Sequence, residues 1–390
     1  MLFVNLELHS TPCFRSARYF MRFRIPLILA LLCFFLHPVS YAEEILILSD
    51  LHLTEDVSAS LALFEAIIRE TNRHDVLLIL GDCANSGRPS EHRSVFSLLQ
   101  QIVNKTGKEV YILPGNHDLS GGFSPEDFAD YYTDYGYKQA FSRDPSGAGY
   151  AVYTAQDTCL IMLDTNGYAP DYKAALHGCI RDETLAWLDS VLKSLSEKTS
   201  VIVAGHYPIL PFKGSGNDDT ENAEALAALL QHYRIPLYLC GHRHSNYTLH
   251  TDNLRQISIG VPFAYPAWAG LLTQTQVGWL YDVQPLYSKD SPAAKQMLNS
   301  ALELGKRMAS GSLEGTSFEG DAEAEEWFMR VFSANLNGTL NDTRESLLAD
   351  KNCEKWRKAE VRSAVKPWIL SLLQTPQEDV RHIVIRSSQE

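Results

Sequence analysis

Positive charge is scarce: 34 Lys and Arg face 47 Asp and Glu, for a formal net charge of −13. A nucleic-acid polymer as partner requires clustered cations to displace counterions, so the balance argues against one. The acidic excess reads as a contribution to solubility. Close cysteine spacing is also missing. Beyond residue 42 the cysteines are Cys83, Cys159, Cys179, Cys240 and Cys353, far apart and never in C-x-x-C, so no disulfide framework is indicated. Cys83 and Cys240 read as small buried hydrophobes. The N-terminal apolar run, Ile25 to Leu36, has 12 residues, short of the roughly 20 that span a bilayer. No stable membrane anchor is expected. With Met21, Arg22 and Arg24 before that run and Ser40-Tyr41-Ala42 after it, the stretch reads as a secretory signal. Residues 1–42 are therefore expected to be a signal region, with Met21 as an alternative start, and the mature protein to be periplasmic or extracellular.

The rest of the chain is ample for a large core, and one pattern recurs in it. Short apolar runs with the length of buried strands stop at residues with metal-ligand chemistry. Ile45 to Leu48 leads to Asp50 and His52, and Val76 to Leu80 leads to Gly81-Asp82. Val110 to Leu113 leads to Gly115-Asn116-His117-Asp118, Val201 to Ala204 to Gly205-His206, and Leu237 to Cys240 to Gly241-His242-Arg243-His244. Between the runs, helical periodicity predicts helices over Ser60–Thr71, Arg93–Lys105, Asp182–Leu195 and Glu221–Tyr233. Alternating strands and helices indicate an α/β fold, in which sites gather at the carboxyl ends of the strands. Asp50 with His52, and His242 with His244, are two apart, so extended chain would put each pair on one face.

Asp50, His52, Asp82, Asn116, His206, His242 and His244 combine oxygen and imidazole donors without a thiolate. That mixture suits first-row divalent or trivalent ions such as Mn, Fe or Zn. Seven donors exceed one tetrahedral ion; with one bridging carboxylate they serve two, the arrangement used for displacement at phosphorus.

The blocks D-x-H, G-D, G-N-H-D, G-H and G-H-x-H, in that order and covering about residues 44 to 260, resemble the calcineurin-like metallophosphoesterase superfamily. The resemblance implies a four-layer α/β/β/α sandwich with two metal ions. Asp50, His52, Asp82 and His244 would hold the first, and Asp82 would bridge to a second completed by Asn116, His206 and His242. It also implies that His117 protonates or orients the leaving alkoxide after a metal-bridging hydroxide attacks phosphorus. Asp118 is placed to hold the His117 imidazole in its tautomer. Asn116 and Arg243 are the residues expected to reach a substrate phosphate. Asn85 stands where purple acid phosphatases have a tyrosine, and Gly81 to Gly87 lacks the protein-phosphatase pattern. The motifs are closest to the cyclic nucleotide (class III) phosphodiesterase group, which implies a small phosphate ester, such as a nucleotide, as partner.

The expected catalytic domain spans residues 43–285, and residues 286–390 form a helical region, with helices over Pro292–Met308, Ala322–Phe332, Thr343–Lys351 and Cys353–Leu373. Two loops after strand ends, Asn166–Gly178 and Pro211–Glu221, are candidates for substrate contact through Tyr168, Tyr172 or Phe212. Three functions remain open: a phosphodiesterase, a phosphomonoesterase of the same fold, and a non-catalytic binding scaffold.

Overall fold

The computed structural model describes residues 42–168, 174–211, 220–361, 363, 365–374 and 380–387. The region expected to be a signal, up to residue 41, lies outside these, as do Tyr172 and Phe212. The described residues from 43 onward form one compact unit.

The first apolar runs become β1 (Glu44–Leu48), β2 (Val76–Ile79) and β3 (Glu109–Ile112), which pair in parallel with Ile45 opposite Val76 and Val76 opposite Glu109. Parallel pairing requires crossovers, supplied by α1 (Leu61–Thr71) and α2 (Pro89–Thr106). The second helix begins four residues before its apolar period does. Pro89 occupies its first turn, and Glu91 Oε2 accepts from the Ser86 and Arg88 amides at 2.7 and 3.2 Å. Two short helices follow β3: α3 (Asn116–Leu119) and α4 (Pro125–Tyr131).

A second sheet is built from β4 (Ser142–Arg143), β5 (Tyr150–Tyr153), β6 (Cys159–Met162), a short hairpin of β7 (Asn166–Tyr168) and β8 (Ala174–Gly178) that stands apart as its own sheet, and then β9 (Val201–Ala204), β10 (Leu237–Cys240), β11 (Tyr247–His250) and β12 (Arg255–Ser258). Helices α5 (Asp182–Ser194) and α6 (Ala223–His232) connect its central strands. The order in the sheet is β11-β12-β10-β9-β6-β5-β4. Alternation along β6 explains the layering. Leu160 and Met162 face the first sheet, whereas Cys159 and Ile161 pack with Trp187, Leu188 and Leu226 of α5 and α6. The result is the α/β/β/α sandwich. Its first sheet is extended by β13 (Trp268–Thr275), antiparallel to β1, and by β14 (Gly278–Pro285), antiparallel to β13.

After residue 285 come α7 (Pro292–Leu313), α8 (Ala322–Leu336), α9 (Leu340–Ala349), α10 (Lys351–Lys358) and α11 (Val365–Gln374). They bury their own core around Trp327, Phe328 and Trp356, which also takes in Tyr247 of β11. The region is not wholly helical. A last strand, β15 (Ile383–Arg386), pairs antiparallel with β14 and forms an edge of the first sheet.

Candidate metal centre

The five ligand-bearing strand ends meet where the two sheets face each other. Asp50 and His52 follow β1, Asp82 follows β2, Asn116 opens α3 just beyond β3, His206 follows β9, and His242 and His244 follow β10. The donors form two groups with a shared member: Asp50, His52, Asp82 and His244, and Asp82, His206 and His242. In the first, His244 Nε2 lies 3.0 Å from His52 Nε2 and 3.3 Å from Asp50 Oδ1. Asp82 Oδ2 is 3.8 Å from His52 Nε2 on one side and 3.3 Å from His206 Nε2 on the other. Asn116 Oδ1 joins the second group, 3.2 Å from His206 Nε2.

Extended backbone does not align the paired ligands, contrary to the expectation from their spacing. Asp50, His52, Asp82, His242 and His244 all have φ between 44° and 67°. This left-handed region is sparsely populated by residues with a Cβ, and such strain collects at functional sites. The chain turns back at each ligand and so brings successive side chains inward. Close backbone approach is also required at two glycines. A Cβ on Gly115 would sit 2.2 Å from Asp82 Oδ1, and one on Gly241 would sit 2.6 Å from Asp50 Oδ2.

Burial governs the protonation of the ring ligands. It lowers His52 to about 4, against the pull of Asp82 and Asp50, and His242 to about 3, with the His206 charge adding to the effect. Both rings are neutral near pH 7 and present lone pairs. Burial also acts on His206, but the Asp82 carboxylate outweighs it and raises that imidazole to about 9. Asp82 in turn lies well below the usual carboxylate range, because His206 and His52 overcome its desolvation. Asp50 Oδ1 is fully buried with His244 Nε2 3.3 Å away, and a buried carboxylate oxygen is costly unless a cation or a donor meets it. Like nitrogens of two histidines facing each other at 3.0 Å have the separation of donors that share one ion at bonds of about 2.1 Å. The residues present therefore fit a pair of metal ions.

His117 stands beside this centre, its ring centroid 4.6 Å from that of His52. Its amide donates to Asp82 Oδ1 at 2.8 Å, and its Nδ1 donates to the Asn85 carbonyl at 2.5 Å. The expected partnership with Asp118 is corrected by these contacts. Asp118 accepts instead from the Ala84 amide at Oδ1 and the Gly115 amide at Oδ2, at 2.8 and 2.9 Å. Fully buried, and close to the Asp82 charge, it is pushed up to about 7. It ties the turn after β2 to the turn after β3, and a backbone carbonyl orients His117. His206 is oriented in the same manner, its Nδ1 lying 2.8 Å from the Leu80 carbonyl.

Arg243 also departs from its expected role. The side chain is 6% exposed, and burial lowers its pKa while Tyr247, its hydrogen-bonding neighbour, opposes the shift. Tyr247 belongs to the core of the C-terminal helices. Although it lies between two metal-ligating histidines in sequence, Arg243 has this tyrosine as a hydrogen-bonding partner. Of the loops expected to contact substrate, Asn166 is buried and donates through Nδ2 to the Pro114 carbonyl at 3.1 Å. Residues 169–173 of the first loop and 212–219 of the second fall outside the described residues. Phe263 carries no motif and was not expected at the site. Its ring nevertheless lies 5.6 Å from that of His52 and 6.0 Å from that of His244.

Residues 44–246 match the model of the calcineurin-like phosphoesterase family. A glycerophosphodiester phosphodiesterase of Enterobacter lignolyticus is 27% identical over 57% of this chain and 70% of its own length. A 3',5'-cyclic-nucleotide phosphodiesterase of Nostoc is 26% identical over 56% of this chain and 77% of its own. Among solved structures, a purple acid phosphatase from yellow lupin aligns with a TM-score of 0.47 and 13% identity, over 63% of this chain and 52% of that one. The match spans β1 through the second histidine of G-H-x-H and contains all seven donors: the chain belongs to the calcineurin-like phosphoesterase family of metal-dependent hydrolases.

Proposed function

We propose that this protein hydrolyses small phosphodiesters at a two-ion centre. Asp50, His52, Asp82 and His244 hold one ion, and Asp82, Asn116, His206 and His242 hold the other. The observation that carries this reading is the position of Asp82, whose Oδ2 faces an imidazole of each group, at 3.8 and 3.3 Å. Bound ions supply an activated water and neutralise charge on the phosphoryl oxygens. The remaining work falls to the chain. The Asn85 carbonyl accepts from Nδ1 of His117, so in the imidazolium form it is Nε2 that delivers a proton to the leaving alkoxide, the ring ending as the neutral Nδ1–H tautomer. The amide of His117 donates to Asp82 Oδ1, so the acid and the shared carboxylate keep one geometry. The Asn116 amide also reaches a phosphoryl oxygen.

Preference for diesters over monoesters is supported by the names of the two relatives, a glycerophosphodiester and a cyclic-nucleotide phosphodiesterase. The test compares bis-p-nitrophenyl phosphate with p-nitrophenyl phosphate after reconstitution with Mn. A higher kcat/KM for the diester is expected, and dominant monoester turnover overturns the preference. Export is the second part of the proposal, supported by the basic residues, apolar run and small residues between Met21 and Ala42. Amino-terminal sequencing of protein from its native host is expected to begin at Glu43; an intact N-terminus refutes cleavage.

A further inference from the structure

Phe263 is a large apolar side chain, 40% exposed, beside a metal centre built from charged and polar groups. Among the exposed large apolar residues described, it is the one whose ring meets two of the donors. It stands nearly perpendicular to His52 and His244, at interplanar angles of 85° and 88°. The loop that carries it is firmly held. Val261, Pro262 and Ala267 are buried, the Gly260 amide donates to Asn246 Oδ1 at 2.9 Å, and the Ala267 amide to the Ala264 carbonyl at 2.7 Å. Its backbone is therefore fixed while its ring faces water, at the mouth where the His244 side chain is itself 42% exposed.

The same His52 ring touches Phe263 on one contact and His117 on another, with centroids 5.6 and 4.6 Å away. The leaving alcohol must come within a hydrogen bond of His117 to take its proton. On the reading that the centre hydrolyses diesters, we propose that Phe263 is a specificity-determining wall against which the leaving alcohol packs, so the site favours an alcohol with an aromatic or extended apolar face. Water displaced from the ring drives this contact, and an aromatic ring opposite adds edge or face attraction. Neither serves a bare phosphate.

Calorimetry on the Mn-loaded protein separates these cases, using phenylphosphonate and inorganic phosphate as probes. In Phe263→Ala, phenylphosphonate binding weakens about five- to tenfold, the range of an aromatic contact, while phosphate affinity and the content of two ions stay as in the parent. Phe263→Tyr restores phenylphosphonate affinity to within about twofold, and in turnover of bis-p-nitrophenyl phosphate the alanine change is expressed in KM rather than kcat. Unchanged phenylphosphonate affinity in the alanine variant overturns the wall. An equal loss for both probes also overturns it, because Phe263 would then act by positioning His52 and His244. Failure of the hydrolase reading looks different: the parent binds phenylphosphonate through Phe263 and turns over neither ester.

Discussion

Replacing Gly115 with alanine tests whether the spacing of the two turns sets the metal centre. Gly115 has φ −100° and ψ 179°, a conformation open to any residue, so backbone strain contributes nothing. Space is the obstacle. The added Cβ would lie 2.2 Å from Asp82 Oδ1 and 2.4 Å from the Asp82 amide nitrogen. To regain the ordinary contact distance of 3.4 Å, the oxygen must retreat by about 1.2 Å. The nitrogen cannot move alone, because the Asp82 carbonyl is bonded to the His52 amide at 2.9 Å. The shared carboxylate therefore shifts relative to both groups of donors and loses the His117 amide. Misplacement by about 1 Å costs on the order of a hundredfold in rate, and overpacking costs about 1–3 kcal/mol of stability. The assays are kcat/KM on bis-p-nitrophenyl phosphate, Mn content by elemental analysis, and the melting of metal-free protein. A variant with both ions and a kcat/KM within about threefold of the parent would refute the reasoning.

Three further outcomes follow from single observations. Metal-free His206 keeps its proton up to about pH 9, and that proton competes with the ion. Apparent Mn affinity should thus rise with pH from 6 to 9 and then level off; affinity independent of pH over that interval would count against His206 as a ligand. His117→Ala should lower kcat on an alkyl diester by about a hundredfold, and lower it less on a nitrophenyl diester, whose phenolate leaves without a proton; equal losses would remove His117 as the acid. Gly311→Ala, inside α7 with nothing within 4 Å of the added carbon, should raise unfolding free energy by about 0.5–1 kcal/mol, and a lower melting temperature would contradict the open helical environment.

Much of the centre was legible because each donor ends an apolar run, and a sheet carries the ends of its parallel strands to one side. Only the residue types at those ends had to be read, and Asp, Asn and His at five strand ends have little reason to coincide without an ion. The strands β13, β14 and β15 were not legible in this way. Their pairing is antiparallel, and β15 joins β14 from about a hundred residues away, so no local period announces it. The conformation of the ligands was also hidden: spacing by two suggested extended chain, and the observed positive φ at Asp50, His52, His242 and His244 reaches a common face by turning.

The errors at Asp118 and Arg243 share a cause. Adjacency in sequence suggested that Asp118 serves His117 and that Arg243 serves phosphate, yet adjacency does not fix which partner a side chain meets: His117, next to Asn116, stands at the centre, whereas Asp118 and Arg243 bond elsewhere. Asp118 bonds to the amides of Ala84 and Gly115, and Arg243 sits against Tyr247. The orienting of His117 and His206 is done by the carbonyls of Asn85 and Leu80. A carbonyl is supplied by every residue, so this support constrains the path of the chain and not the side chain; Leu80 is held in type by its burial in the core, not by its bond to His206. Ligands are visible to a motif because their chemistry selects a side chain, whereas their backbone supports select only a fold. Asn85→Ala should therefore leave the His117 hydrogen bond intact and kcat within about twofold of the parent, whereas an insertion between Asp82 and Asn85 that moves this carbonyl should reproduce the loss expected for His117→Ala.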